Sequence, residues 1–160
     1  MTLLEPLPPE RFDEFVRVSS ASHAADSVAC GRWPEHEAAS LARAEFERLL
    51  PQRQATPDHH FYEIRSEPGG PVLGFVWLGS MPRGNVRVAY VFQVFVYPEH
   101  RRQGHGRAAL LEVERLAGAM GFGGVSLNVF GANAGAQALY RSLGYTVTSL
   151  SMHKPVATSR

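Results

Sequence analysis

The nearly unbroken apolar run from Val86 to Tyr97 limits the fold of this chain more than any other segment. It is rich in β-branched and aromatic residues, which is typical of a strand covered on both faces. Two shorter runs of the same kind precede it, Phe61–Arg65 and Val72–Leu78, and segments with glycine and proline separate the three. Because such segments form turns, the sequence predicts antiparallel hairpins at the centre of a sheet.

Helical periodicity lies on both sides of these strands. Phe12, Phe15 and Val16 share one face of a helix that begins near Pro9, and a second helix is predicted over residues 35–50. The elements predicted after the central strands are a helix that ends before Gly121, a strand at 125–130, a helix at 133–143 and a strand at 145–154. This order predicts an α/β sandwich, a mixed sheet with helices on both faces.

Composition narrows the class of protein. A chain of 160 residues, 44% of them hydrophobic, can bury one core and is too short for two ordinary domains, so one domain over residues 1–160 is predicted. A formal net charge of +1 provides no field that would select nucleic acid. The sequence has no apolar run of about eighteen residues and no signal-peptide pattern, so we expect a cytoplasmic protein without a membrane span.

Metal and disulfide chemistry are not expected. The single cysteine, Cys30, excludes an internal disulfide and a thiolate zinc cluster. Of the seven histidines only His59 and His60 are close in sequence, and adjacent residues of a strand point to opposite faces. We therefore expect no metal site.

The loop with Gly104-His-Gly106 is the clearest candidate binding site, because it leads from a strand into a helix. A helix N-terminus offers unpaired N–H groups and a partial positive charge, and glycine lets a phosphate approach the backbone. Arg101, Arg102 and Arg107 surround the loop. The pattern predicts a bound phosphate; the alternative is a solvated turn whose glycines serve only tight packing.

Two common phosphate motifs do not fit this loop. Gly104 to Ala109 matches a loose GxGxxA dinucleotide pattern, but that site needs an acid about twenty residues later at the end of the next strand. Here that strand ends in Asn128-Val-Phe130. A Walker loop is excluded because no Gly-Lys-Ser/Thr follows the glycines.

A third motif fits. Arg101-Arg-Gln-Gly104-His-Gly106 matches the (Arg/Gln)-x-x-Gly-x-(Gly/Ala) signature of the GCN5-related N-acetyltransferases. Val96-Tyr-Pro-Glu-His100 resembles the end of the strand that precedes this signature in the family. Leu127–Asn133 together with Ala138–Tyr145 resembles the family's second sequence motif. The resemblance covers about residues 60–154, and residues 10–60 resemble an uncharacterised bacterial subgroup.

The resemblance implies an acyl-CoA N-acyltransferase fold with a mostly antiparallel central sheet. Residues 1–57 would be acceptor-side helices, residues 58–97 central strands, and residues 98–154 the half that binds acetyl-CoA, the implied co-substrate. In the family, the strand next to the pantetheine arm parts from its neighbour at a bulge, where a backbone N–H, here of Val94, faces the thioester. The residues implied to bind acetyl-CoA are Val94, Phe95, Val96, Arg101, Arg102, Gln103, Gly104, His105, Gly106, Arg107, Asn133 and Tyr140.

Tyr140 is the residue implied to take part in the chemistry. It follows Asn133 by two helical turns, so both face the same way. A phenol with a pKa near 10 can donate a proton to a departing thiolate whose thiol has a pKa near 8.5. The alternatives are structural: Ala136, Tyr140 and Leu143 form an apolar helical stripe, and Asn133 is suited to be a helix N-cap.

The general base is not evident from the sequence. Relatives often carry a carboxylate where this chain has Tyr90, Gln93 and Asn128, none of which is a base at neutral pH. Amines of low pKa would then be favoured, or a water relay would end at His59 or His60. The first two helices and the segment that links them are expected to form the acceptor pocket, and its candidate residues are Trp33, Glu35, Glu37, His59, His60, Trp77 and Phe92.

Three functions remain open at this point. The resemblance favours an N-acetyltransferase that moves the acetyl group of acetyl-CoA to a primary amine, of a small molecule or a peptide or protein, by direct attack through a tetrahedral intermediate. The alternatives are an acyl-CoA-binding sensor without transferase activity and a phosphate-recognising interaction domain. Exposed strand edges would allow a homodimer.

Overall fold

The structure of the chain is a computed structural model, which describes residues 2–159. Within that range the strands are β1 (Leu3–Pro6), β2 (His60–Arg65), β3 (Gly74–Arg83), β4 (Val86–Val96) and β5 (Val125–Leu127). The α-helices are α1 (Phe12–Ala29), α2 (Glu35–Leu49), α3 (His105–Ala119) and α4 (Ala134–Ser142).

The strands form one sheet in the order β1-β2-β3-β4-β5. The first four are antiparallel neighbours, and β5 lies parallel to β4. The register between β3 and β4 shifts between Trp77 and Leu78, which pair with Gln93 and Val91, so Phe92 is an extra residue in a β-bulge. The bulge predicted for this strand is therefore present.

Helices cover both faces of the sheet, because alternate strand residues point to opposite sides. On one face, Phe75 and Trp77 of β3 pack with aromatic residues of α1 and α2 such as Phe15 and Phe46. On the other face, Val76 and Leu78 pack with residues of α3. The prediction of a mixed, mostly antiparallel sheet between two helical layers is confirmed.

Several predicted boundaries were wrong. β3 continues to Arg83, and the hairpin turn is only Gly84 and Asn85, because residues 81–83 pair with β4 although they include a proline. The strand predicted over 125–130 ends at Leu127. Leu3–Pro6 was not predicted as a strand; it is short, and only its ladder with β2 defines it.

The strand predicted at 145–154 is absent from the described chain. Thr146–Ser159 has no regular secondary structure, and every residue in it is exposed. An alternating sequence forms a strand only where a neighbouring strand satisfies its backbone groups, and this segment has no such neighbour within the single copy. Among residues 2–159, no helix has both the length and the apolarity needed to cross a membrane.

Candidate functional site

The connection from β4 to α3 reverses the chain sharply. A 3-10 turn at Pro98–His100 follows β4, and two residues then adopt left-handed backbone conformations, Arg102 with φ 60° and Gly104 with φ 83°. Glycine adopts this conformation without steric cost, whereas Arg102 does so at a cost that the surrounding turn must offset. The result is a tight loop directly before the first turn of α3.

The loop presents a row of unpaired backbone donors. The first intrahelical bond joins the Ala108 N–H to the Gly104 carbonyl oxygen at 3.0 Å. Within residues 2–159 no backbone acceptor lies in hydrogen-bond range of the N–H groups from Arg102 to Arg107, and no side chain caps α3. The space beside Gly104 and Gly106 is open, since a Cβ at either would meet no atom within 4 Å. This donor set fits a pyrophosphate group.

These donors face a surface cleft of about 360 Å³, called the loop cleft below. Its walls are Val94 and Val96 of β4, the loop with the first turn of α3, and Leu139 and Tyr140 of α4. Among residues 2–159, β4 pairs with β5 only through Ala89–Val91, so in this range β4 has no strand neighbour on that side beyond the bulge. The parting of the two strands opens the cleft.

Tyr140 lies half-buried in the wall of the loop cleft, with its ring centroid 5.8 Å from that of Tyr145. Burial raises the pKa of the Tyr140 phenol, and the negative charge of Asp26 raises it further. The phenol is therefore protonated at neutral pH. The structure brings Tyr140 to the same cleft as the loop donors, as the sequence predicted.

Asn133 has the structural role that was considered for it. Its side-chain oxygen accepts a hydrogen bond from the Ala136 N–H at 3.1 Å, so it is the N-cap of α4. Its side chain does not line the loop cleft. A role in binding acetyl-CoA stays a prediction.

Two loop arginines are held by the protein itself. The Arg101 Nε donates to the Val96 carbonyl oxygen at 2.8 Å, and its guanidinium lies 5.5 Å from the centroid of the Phe95 ring. The Arg107 Nη1 donates to the Ser142 Oγ at 2.8 Å, which ties the start of α3 to the end of α4. Neither bond uses all of the guanidinium donors, so both arginines can still contact an anion.

A second cleft of about 390 Å³, called the α1 cleft, shares Arg101 with the loop cleft. It lies between α1 and the end of β4, where the side chains of Phe95 and Tyr97 point. The predicted cofactor residue Phe95 therefore faces this cleft. Gln103 lines neither cleft, and its amide donates to the Glu99 carbonyl oxygen at 3.4 Å.

Asp26 is the acid of the α1 cleft, and the sequence analysis missed it. The residue is exposed overall, but partial desolvation in the cleft raises the pKa of its carboxyl, while the charges of His23 and Arg101 lower it. The α1 cleft that it lines shares Arg101 with the loop cleft, which Tyr140 lines. The sequence gave only a weak indication of this cleft, namely two small residues one helical turn apart, Ala21 and Ala25, which leave room beside α1. A single aspartate in a helix is usually solvated, so Asp26 did not stand out.

The structure brings three of the predicted acceptor-side residues together at the bulge. The Trp77 Nε1 donates to the His59 Nδ1 at 2.9 Å, and the Trp77 ring stacks on Phe92 with centroids 4.5 Å apart. Burial lowers the pKa of His59, so the imidazole that accepts this bond is neutral. Trp77 is only 2% exposed, which makes it a core residue and not a wall of either cleft.

The other predicted acceptor-side residues lie elsewhere. Trp33 packs against a small cluster of alanines between α1 and α2. Glu35 and Glu37 are exposed in the first turn of α2, and His60 is half-buried in β2. None of these side chains lines the loop cleft or the α1 cleft. In the part of the chain that is described, no three His, Cys, Asp or Glu side chains are grouped so as to hold a metal ion.

Comparison with known proteins places the chain in a family. A model of the acetyltransferase (GNAT) family matches residues 25–145. The uncharacterized N-acetyltransferase YycN of Bacillus subtilis strain 168 is 28% identical over 152 residues, which are 95% of this chain and 97% of YycN. The crystal structure of YycN matches with a TM-score of 0.91 and 26% identity, over 99% of this chain and 100% of that one.

A further relative is similar over part of its length. The mycothiol acetyltransferase of Pseudarthrobacter chlorophenolicus is 31% identical over 125 residues, which cover 77% of this chain and 38% of that enzyme. The family match spans well over half of the chain and includes the glycine loop and α4. The resemblance found in the sequence is thus confirmed, and the chain belongs to the acetyltransferase (GNAT) family.

Proposed function

We propose that the chain transfers the acetyl group of acetyl-CoA to a primary amine, carried by a small molecule or by a peptide or protein. The observation that carries this proposal is the loop cleft, where the unpaired N–H groups of Arg102–Arg107 and the hydroxyl-bearing ring of Tyr140 border one opening. An acyl-CoA sensor would need the loop donors but not a protonated phenol beside them.

The donor would bind along the parted strand. The N–H groups from Arg102 to Arg107 would hold the pyrophosphate at the positive end of α3. The pantetheine arm would lie against Val94 and Val96, whose side chains line the cleft. A backbone N–H of β4, for which we propose Val94, would stabilise the developing oxyanion by roughly 3 kcal/mol, by analogy with other oxyanion holes.

Tyr140 would act as the general acid. A neutral amine attacks the thioester carbonyl and forms a tetrahedral intermediate, and the phenol then donates its proton to the departing sulfur. The raised pKa of Tyr140 keeps that proton in place at neutral pH. Because the thiol is the stronger acid, with a pKa near 8.5, the donated proton is shared through a hydrogen bond as the sulfur leaves.

The acceptor would enter from the α1 cleft. Asp26, the carboxylate that lines this cleft, would attract a cationic amine and receive its proton. An α-amine with a pKa near 7.8 is ~10–20% neutral at pH 7, compared with ~0.04% for a lysine amine near 10.4. Because Asp26 is the one carboxylate among the described residues that line the two clefts, amines of low pKa are the favoured acceptors.

The test is a Tyr140→Phe variant, assayed by thiol release with a panel of amines. Loss of the acid should lower kcat about 10²–10⁴-fold, while coenzyme A binding measured by calorimetry stays unchanged. Tyr145→Phe is the matched control, since it removes a hydroxyl from the neighbouring ring and should keep the wild-type rate. A Tyr140→Phe enzyme of wild-type activity would refute the proposed role of Tyr140.

The same experiment examines the wider proposal. Wild-type protein that binds coenzyme A without turning over acetyl-CoA with any amine would identify a sensor. Binding of coenzyme A should also raise the free energy of unfolding, by about 2.7 kcal/mol at a hundred times its Kd. Wild-type protein that gives neither heat on titration with coenzyme A nor this stabilisation would refute the proposed donor site.

A further inference from the structure

Three charged side chains among the described residues line the α1 cleft, and the reaction proposed above uses two of them. Asp26 would receive the acceptor amine, and Arg101 also lines the loop cleft, where the pyrophosphate would bind. The third is Arg17, which lines the α1 cleft but not the loop cleft. A guanidinium in a ligand cleft suits a carboxylate or phosphate group. Arg17 is therefore a cation at the acceptor side for which acetyl transfer alone gives no use.

Two neighbours hold Arg17 in position. Its Nε donates to the Glu14 Oε2 at 3.0 Å, and its Nη2 donates to the Glu14 Oε1 at 2.8 Å. The Tyr97 hydroxyl, from the residue just after β4, donates to the same Glu14 Oε1 at 3.0 Å. Burial and this bond raise the pKa of Tyr97 to about 12, so the phenol stays a donor. Because the carboxylate is fixed from a second element, the guanidinium needs less ordering when a ligand binds.

Part of the guanidinium stays available to a ligand. Within residues 2–159 the Arg17 Nη1 makes no hydrogen bond, and the side chain is 71% exposed. Arg115 on α3 is a useful comparison, because it binds Glu112 three residues earlier through its Nε and Nη2 in the same manner. Arg115 lines neither cleft. Arg17 thus differs from an ordinary helical ion pair in its place at the cleft and in the bond from Tyr97.

The α1 cleft separates Arg17 from the acid by an apolar middle. Ala21 and Ala25 lie between them on α1, and Phe95 of β4 also lines the cleft. Arg17 and Asp26 are nine residues apart, which is about 14 Å along a helix axis. An extended peptide of three residues spans about 10 Å, and the two side chains can cover the remainder. The cleft therefore matches a molecule with an amine at one end and a carboxylate at the other.

We propose that the acceptor is a short peptide with both ends free, whose terminal carboxylate binds Arg17 while its α-amine lies at Asp26. This rests on the proposed function, since it names the acceptor of that reaction. The amine nitrogen forms a bond to the acetyl carbon as the C–S bond breaks. The ammonium form loses two protons overall: one passes to Asp26 and on to solvent, and one ends on the thiol of coenzyme A. Such an α-amine has the low pKa that the site favours.

The experiment measures kcat/KM for triglycine and for triglycinamide, which lacks the carboxylate. The ratio of the two values, acid over amide, is called the acid preference. Arg17→Gln should lower the acid preference about tenfold, because a hydrogen bond to a charged group is lost. Its affinity for coenzyme A, measured by calorimetry, should stay unchanged. Every variant is compared on the same two peptides, so differences between their amine pKa values cancel.

Three controls isolate the contact with Arg17. Arg115→Gln removes an arginine with the same kind of ion pair outside the clefts and should keep the acid preference. Glu14→Gln combined with Arg17→Gln should lower the acid preference as Arg17→Gln does, which excludes repulsion by an unpaired Glu14 as the cause. Glycine and glycinamide form the length control: their two ends are too close together to reach both Arg17 and Asp26, so Arg17→Gln should leave that ratio unchanged.

The outcomes separate this proposal from acetyl transfer itself. If triglycinamide is acetylated but Arg17→Gln keeps the acid preference of the wild type, the peptide site is refuted and acetyl transfer stands. A loss of coenzyme A affinity in Arg17→Gln would also refute it, because Arg17 would then belong to the donor site. If no amine is acetylated, acetyl transfer is refuted, and calorimetry with triglycine decides the site: binding that Arg17→Gln weakens supports it, and equal or absent binding overturns it.

Discussion

At the scale of single residues, His59 illustrates how structure changes the meaning of a side chain. The sequence suggested a relay for protons, whereas the structure gives its Nδ1 a hydrogen bond from the core residue Trp77 at 2.9 Å. A neutral ring is required to accept that bond. We therefore expect His59 to contribute to stability in a manner that depends on pH.

The sign of this pH dependence of stability follows from the pKa of His59. Burial lowers the pKa of His59 in the folded chain below its ordinary value of 6.5, so the unfolded chain binds the proton more readily. The stability contributed by neutral His59 is present above pH 6.5 and is lost as the pH falls through the lower, folded-state value.

Urea unfolding at pH 7.5 and pH 5.5 checks this expectation. His59→Asn keeps an acceptor for Trp77 but does not titrate, so the wild type should lose more free energy of unfolding between the two pH values than the variant. His36→Asn, at an exposed position in the first turn of α2, is the control and should lose as much free energy of unfolding as the wild type. An identical loss in the wild type and His59→Asn would contradict the prediction.

At the scale of elements, the contact between β3 and β4 depends on two glycines for different reasons. A Cβ on Gly74 would lie 1.9 Å from the backbone oxygen of Phe95, and one on Gly79 would lie 2.4 Å from the ring of Phe92. A ring can rotate or shift, whereas a paired strand cannot move without breaking its ladder.

We therefore predict that Gly74→Ala destabilises the fold more than Gly79→Ala. Overpacking costs about 1–3 kcal/mol, and Gly74→Ala should lie at or above the upper end of that range. Chemical denaturation of both variants measures the difference. Gly118→Ala is the control, because that helical glycine has open space beside it and alanine should stabilise α3 by about 1 kcal/mol. An equal loss of free energy of unfolding in Gly74→Ala and Gly79→Ala would contradict the prediction, because it would mean that the paired backbone shifts as readily as the Phe92 ring.

The elements differ in how far local sequence determines them. The helices α2 and α3 follow apolar periodicity and end near Pro51 and Gly121, so they were predicted within one or two residues. The strand β1 has four residues with a proline at its end, and it exists only through pairing with β2, which is distant in the sequence. The strand predicted at 145–154 shows the converse: its alternation favours a strand, but among the described residues it has no strand partner.

At the scale of the whole molecule, the candidate site is assembled from three distant segments. α1 supplies Asp26, the loop before α3 supplies the backbone donors, and α4 supplies Tyr140. The last two belong to motifs that were recognised. Asp26 lies in the neighbouring α1 cleft, which shares Arg101 with the loop cleft.

Asp26→Asn tests whether the acceptor approaches from this side. Loss of the carboxylate should lower kcat/KM for the amine about tenfold or more, whereas the affinity for coenzyme A should stay unchanged. Glu35→Gln is the matched comparison, because the sequence analysis placed Glu35 in the acceptor pocket whereas the structure places it away from both clefts. Loss of activity in Glu35→Gln with none in Asp26→Asn would refute an acceptor site at the α1 cleft.

The sequence alone determined the family, the central strands and the position of the glycine loop before α3, because each depends on residues that are close together along the chain. Only the tertiary structure decided that Trp77 lies in the core with its Nε1 donating to His59, that Asp26 lines the cleft beside the end of β4, and that residues 146–159 have no strand partner in the described part of the chain. These properties depend on which distant segments meet, and that is set by packing across the sheet rather than by any local pattern of residues.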